Sequence, residues 1–200
     1  MQRLLLATTN AGKIREMAGP LGAAGIALVG LNDLGIADIA PETGNSFLEN
    51  ALQKAEFYFA MAKLPTLAED SGLCVDALSG APGIHSARYG AGQGVTDDAG
   101  RNEFLLRALR GTPPPRRAHY ECGLALLGLA EQPVTARGEV HGEILDAPRG
   151  SGGFGYDPLF LYTPLGKAFA ELPRGKKFAV SHRGNAVRAL VEKMKSRSVS

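Results

Sequence analysis

The sequence predicts a mixed α/β fold, and three observations carry that reading. Leu4–Ala7 is an apolar run too short for a helix, and the pattern changes to helical spacing from Ala11. Arg117–Leu129 and Val134–Leu145 are long strand-like runs on either side of Glu131-Gln132-Pro133, which suits a hairpin. Ser46 and Glu49 form a Ser-x-x-Glu capping box ahead of a long helical stretch. Strands and helices mix without strict alternation, so a mixed sheet fits better than a doubly wound parallel one.

Taken in order, Arg3–Ala7 reads as a buried strand, Ala11–Ala24 as a helix and Ile26–Val29 as a second strand. Leu31–Asn45 is loop. Ser46 opens a helix to about Lys63, which Pro65 closes. Thr66–Ala68 begins a strand, with Glu69, Asp70 and Ser71 expected at its end. Asp70–Gly94 reads as loop because Gly80, Pro82, Gly83, Gly90, Gly92 and Gly94 favour turns. Asp97–Arg110 is a helix with acids at its start and Gly111 at its end. Thr112-Pro113-Pro114-Pro115 is a stiff connector, so a lobe boundary is expected near 111–116 within one domain spanning 1–200. A glycine cluster at Gly150–Gly155 precedes a short strand at Pro158–Leu161. The last helix runs from Ser181 to about Lys195, and Ser196–Ser200 is expected to fray.

A chain of 200 residues with 44% hydrophobic content can bury a core without disulfides or metals. The net charge of +2 is too small to argue for a nucleic-acid or membrane partner. Cys74 and Cys122 form no CxxC and suit small buried thiols in a reducing compartment. The N-terminus lacks the pattern of a signal peptide, and the longest apolar stretch, Gly123–Ala130, is far short of the roughly 20 residues of a membrane span. A cytoplasmic soluble protein is expected.

The charges at helix starts are uneven. Backbone N–H groups make a helix N-terminus positive, so acids help there and bases cost about 0.3–1 kcal/mol. The helices at Ser46 and Asp97 obey this rule. The first helix begins with Lys13 and Arg15, and the last with Ser181-His182-Arg183. A bound phosphate would compensate, and Gly12 would let backbone approach it. The competing reading is that Lys13 and Arg15 are solvated surface charges. The Walker pattern is absent, since Ile14 follows Gly12-Lys13 and Ala7 stands where the earlier glycine belongs. Triphosphate chemistry also needs a divalent cation, and Mg²⁺ takes one or two carboxylates, which Asp70 and Glu42 could supply. An acidic turn facing water is the alternative for Glu69-Asp70. Ser71 lacks the GxSxG elbow, and Ser181 beside His182 makes no nucleophile–base pair, so a serine hydrolase is a poor reading.

Several segments together resemble the inosine/xanthosine triphosphate pyrophosphatase family, enzymes that act on nonstandard purine nucleotides. They are TTNAGK from Thr8, ETGNSFLENA from Glu42, LAEDSGLCVDAL from Leu67, GAPGIHSARYG from Gly80, GGFGYDPLF from Gly152 and SHRGNA from Ser181. The resemblance implies hydrolysis of dITP, ITP or XTP to the monophosphate and pyrophosphate with Mg²⁺. It implies an elongated α/β fold, a mixed sheet with flanking helices and two lobes around a central cleft, and a homodimer. By position, Thr8, Thr9, Asn10, Ala11, Gly12 and Lys13 would hold the triphosphate. Asp70 would bind metal and accept a proton, Glu42 would bind metal, and Ser71 would touch substrate. Phe154, Gly155, Tyr156, Asp157, Lys177, His182 and Arg183 would form the nucleoside side. Phe154 or Tyr156 could stack on the purine or belong to the core. Departures from the family pattern are the Gly90–Gly94 loop, Tyr120 where phenylalanine is common, and Phe178-Ala179-Val180.

Lys177 and Arg183 only donate hydrogen bonds, so they suit the C6 oxygen of hypoxanthine or xanthine and would oppose adenine's amino group. Lys54 and Arg88 are candidate secondary phosphate contacts; His119 and His141 are expected to be structural or exposed, and His85 has no assigned role. Two other readings stand beside this one. One is a pyrophosphatase for pyrimidine or standard triphosphates. The other is a non-catalytic nucleotide- or RNA-binding module, supported by the basic segment Lys193–Arg197 but gaining nothing from Glu42, Glu69 and Asp70.

Overall fold

A computed structural model of the chain describes residues 2–23 and 25–197. Ala24, the expected end of the first helix, and residues 198–200 of the expected tail lie outside the described residues. Among the described residues seven strands form one mixed sheet: β1 (Gln2–Ala7), β2 (Ile26–Gly30), β3 (Thr66–Val75), β4 (Arg117–Leu127), β5 (Val134–Ile144), β6 (Phe160–Tyr162) and β7 (Lys167–Ala168), in the order β2-β1-β3-β4-β5-β6-β7. β1 runs parallel to β2, with Leu4 opposite Leu28, and parallel to β3, with Leu6 opposite Leu67. β6 runs antiparallel to both β5 and β7. The expected hairpin is present as β4 and β5, which are neighbours in the sheet.

The helices are α1 (Ala11–Ala23), α2 (Phe47–Ala62), α3 (Asp98–Ala108), α4 (Arg174–Val180) and α5 (His182–Arg197). Among the described residues no helix is long and apolar enough to cross a membrane. α2 buries Phe47, Asn50, Ala51, Ala55 and Tyr58, a stripe at helical spacing. The Ser46 hydroxyl accepts from the Glu49 N–H at 3.2 Å, and the Glu49 carboxylate accepts from Asn45 N–H at 2.7 Å, one residue earlier than a standard capping box. At α3 the Asp97 side chain accepts from Gly100 N–H at 2.8 Å.

Three expectations need correction. β3 does not end at Glu69–Ser71 but runs to Val75, so Asp70 lies mid-strand and residues 70–75 are not loop. Leu73 and Val75 are both fully buried, and their burial outweighs the turn tendency of Ser71-Gly72. α4 was not expected. It is seven residues, RGKKFAV, without an apolar stripe to announce it. α5 continues past Lys195 to Arg197, with the Ser196 hydroxyl donating to the Lys193 carbonyl at 3.0 Å.

The chain divides into two compact units. The first comprises Met1–Asp70, Cys122–Gly138 and Gly184–Ser200; the second comprises Ser71–Glu121 and Glu139–Arg183. Residues 111–116 fall inside the second unit, where the Pro114–Pro115 peptide is cis. The first unit has a core of Leu5, Leu31, Ala51, Ala55, Tyr58 and Ala125. The second is built on Leu73, Leu105, Leu109, Tyr120, Phe160 and Phe169.

Candidate active site

Within the first unit, the turn from β1 into α1 is held by its own side chains. Asn10 N–H donates to the Thr8 hydroxyl at 3.1 Å. The Asn10 side-chain oxygen accepts from the N–H groups of Gly12 and Lys13 at 2.9 and 3.1 Å, so Asn10 caps the helix. Thr9, Asn10 and Ala11 are exposed, while Gly12 is buried. The positive helix start therefore has a capping acceptor of its own. Lys13 also has a counter-charge, because its ammonium lies 3.2 Å from the carboxylate of Glu69, a side chain with no exposure. Arg15 is exposed, as the solvated reading required.

Asp70 is 8% exposed, next to Glu69 on β3. Asn50 of α2 donates to an Asp70 oxygen at 3.0 Å, and its own oxygen accepts from Gly44 N–H at 2.8 Å. Gly44 has no room for a side chain: a Cβ there would sit 2.9 Å from that same Asn50 oxygen and 2.7 Å from the Glu49 Cβ. Lys54, one turn further along α2, pairs with Glu42 at 2.5 Å and donates to the Glu69 carbonyl at 3.1 Å. Burial pushes the Asp70 carboxyl above its ordinary value; Lys13, Lys54 and Asn50 oppose the rise, and the charge of Glu42 adds to it. Thus the candidates Lys13, Glu42 and Asp70 meet in one unit, joined by Asn50, Lys54 and Glu69.

Within the second unit, a different set gathers. Arg183, at the start of α5 and 1% exposed, donates to the Ser71 hydroxyl at 3.1 Å. Its guanidinium lies 5.6 Å from the centre of the Phe154 ring, and the Lys177 ammonium lies 4.7 Å from the same centre. Lys177 is buried and pairs with Asp157 at 2.5 Å; the same Asp157 oxygen accepts from Phe154 N–H at 2.8 Å. His182 stacks on Tyr120, with ring centres 4.6 Å apart and planes at 9°. The two aromatic candidates separate. Tyr156 is a core residue whose hydroxyl donates to the Ser86 carbonyl at 2.8 Å, and burial drives its pKa upward. Phe154 remains half-buried.

Sequence reasoning assigned no role to Asn50 or Tyr120 in these clusters. Asn50 was findable, because it is an amide in the otherwise apolar stripe of α2. Tyr120 stood out only as a departure from the family pattern, since its use depends on His182, far along the chain. The remaining histidines stand apart: His119 and His141 face each other with ring centres 5.5 Å apart, and His141 is exposed.

A model of the Ham1 family matches residues 4–193. The chain is 47% identical over 199 residues to a dITP/XTP pyrophosphatase of Ralstonia nicotianae, covering 98% of each protein. It is 46% identical over 199 residues to a dITP/XTP pyrophosphatase of Shigella flexneri, covering 98% of this chain and all of that one. Among solved structures, a HAM1 protein from Coxiella burnetii superposes with a TM-score of 0.86 at 38% identity, covering 98% of this chain and 100% of the other.

Proposed function

The chain belongs to the Ham1 family, and from that premise we propose that it hydrolyses dITP, ITP and XTP to the nucleoside monophosphate and pyrophosphate. The observation that carries the reading is the charge cluster of the first unit. Three carboxylates, Glu42, Glu69 and Asp70, are interleaved with two ammonium groups, Lys13 and Lys54, and Asp70 is held by a buried amide. A structural ion pair needs two charges. Five converging charges, one of them the Asp70 carboxylate whose pKa burial raises, are an arrangement suited to polyphosphate chemistry.

Water adds at the α-phosphorus, and the α–β phosphoanhydride bond breaks with its electron pair leaving on pyrophosphate. Asp70 accepts the water's proton; burial makes it a stronger base than an ordinary carboxylate. Asn50 holds the Asp70 carboxylate by one oxygen, which fixes its orientation. Lys13, released from Glu69 by the incoming phosphates, and Lys54 neutralise charge that grows on the leaving group. The residues present fit Mg²⁺. Among the described residues no group of three His, Cys, Asp or Glu is placed to hold a metal. Mg²⁺ takes one or two carboxylates with water and phosphate oxygens. Asp70 and Glu42 would hold it, and the ion supplies charge neutralisation on the phosphates.

The base contacts are assigned, by resemblance to the family, to Phe154, Lys177 and Arg183. Lys177 and Arg183 present donors beside the half-buried Phe154 ring, which suits a C6 oxygen and disfavours adenine. The reading includes a homodimer, by resemblance to the family, and a cytoplasmic setting, which the free thiols Cys74 and Cys122 suit. The test is pyrophosphate release from ITP, XTP, dITP, GTP, ATP, UTP and dTTP, each with Mg²⁺ and with EDTA. Release confined to ITP, XTP and dITP and abolished by EDTA supports the reading. No release from any triphosphate favours a binding module, and preference for UTP or dTTP moves the substrate class.

A further inference from the structure

Gly155 is gripped from both sides by a helix that none of the substrate contacts uses. Its φ is +61°, a conformation that suits glycine. Its N–H donates to an Asp98 carboxylate oxygen at 2.7 Å, and its carbonyl accepts from the Asn102 amide at 3.0 Å. Asp98 and Asn102 are four residues apart on α3 and so share one face. The other Asp98 oxygen is held by Arg101 at 2.5 Å. The Asn102 amide also donates to the Asp98 carbonyl at 2.9 Å, while its oxygen is buried with no hydrogen-bond partner among the described residues. A buried acceptor left unpaired is unfavourable, so the two donated bonds are what this position uses.

The peptide held in this way directly follows Phe154. Phe154 N–H is itself fixed by Asp157, which also pairs with Lys177. Side chains therefore hold the N–H of Phe154 and both polar groups of Gly155, which fixes the backbone from which the Phe154 ring projects. Lys177 and Arg183 are both placed against that ring. A helix docked only for stability needs apolar contact, and α3 already has it through Leu105 in the core. The double grip on one peptide adds precision where an error of an ångström would misalign the base.

We propose that Asp98 and Asn102 are positioning residues that fix the Phe154 ring and thereby set selection among purine bases. The proposal deepens the proposed function and rests on it. The experiment compares the wild type with Asp98→Ala, Asn102→Ala and the conservative Asp98→Asn, which keeps an acceptor. It reads kcat and KM for ITP and GTP, with inorganic tripolyphosphate as an inhibitor that lacks a base. Both alanine variants raise KM for ITP about tenfold and reduce the ITP-to-GTP ratio of kcat/KM by a similar factor. Tripolyphosphate inhibition stays within about twofold of the wild type, and Asp98→Asn recovers most of the loss. Unchanged ITP kinetics, or equal losses for ITP and tripolyphosphate, overturn the proposal. A wild type inactive on every 6-oxo purine triphosphate removes the proposed function itself, and this inference with it.

Discussion

Asn50 donates a hydrogen bond to Asp70 at 3.0 Å while accepting one from the backbone of Gly44 at 2.8 Å. One buried amide thus ties the carboxylate on β3 to the loop that carries Glu42. Replacing Asn50 with Ala removes this hold on the carboxylate and the acceptor of the Gly44 N–H. Asn50→Ala is expected to lower kcat/KM for ITP about 10–100-fold, the scale for losing a residue that orients a ligand-binding carboxylate. Steady-state kinetics at saturating Mg²⁺ reads this directly, and wild-type values would remove the orienting role.

Asp70→Asn should separate activity from stability. Turnover is expected to fall by at least about two orders of magnitude, the range of general acid–base effects. Stability should move the other way in magnesium-free buffer. The folded-state pKa of Asp70 is raised, so its favourable contribution is present below the unfolded value and lost as pH rises through the folded one. At neutral pH the ionised group is a burden that asparagine lacks. A higher Tm for the variant at pH 7.5, with the gain shrinking on acidification, is the expected result. A lower Tm at pH 7.5 would contradict it.

Lys13 and Glu69 form a pair in which the acid has no exposure and the base has 14%. Lys13→Met removes the ammonium that faces this buried carboxylate and should cost up to about 3–5 kcal/mol. Lys13→Met with Glu69→Gln should recover much of the loss, since the buried carboxylate is then replaced by a neutral amide. Urea denaturation of both single variants and the double variant gives the coupling. Additive losses would show the pair to be independent.

Cys74 should be a slow nucleophile. Burial, with Glu121, Glu139 and Asp76 adding, pushes its thiol from 9.0 up to about 11. Its thiolate fraction near pH 8 is then on the order of a hundredfold below that of an unperturbed thiol. Iodoacetamide labelling of a Cys122→Ala variant should be slow at pH 8 and rise steeply towards pH 11. A rate equal to that of a free thiol at pH 8 would show the site to be open.

Much of the fold was legible because its cues are local. The Ser46 and Asp97 caps, the helical stripe of α2 and the break at Glu131-Gln132-Pro133 each lie within a few residues of what they control. The misjudged places were those where distant packing overrode a local cue. Ser71-Gly72 reads as a turn, yet β3 runs through it because Leu73 and Val75 enter the core beyond. α4 carries no stripe at all and is placed between Pro173 and the buried Ser181.

By itself the sequence determined where most helices and strands begin, that Lys13 and Arg183 stand at helix starts, and which segments bear chemistry. Tertiary structure alone decided that Lys13 is answered by Glu69, that Asn50 reaches Asp70, and that Tyr156 is core while Phe154 is not. Capping and periodicity act between residues a turn apart, so they are written in spacing. Ion pairing, desolvation and ring contacts act through space between residues the chain brings together only on folding, and no spacing encodes them.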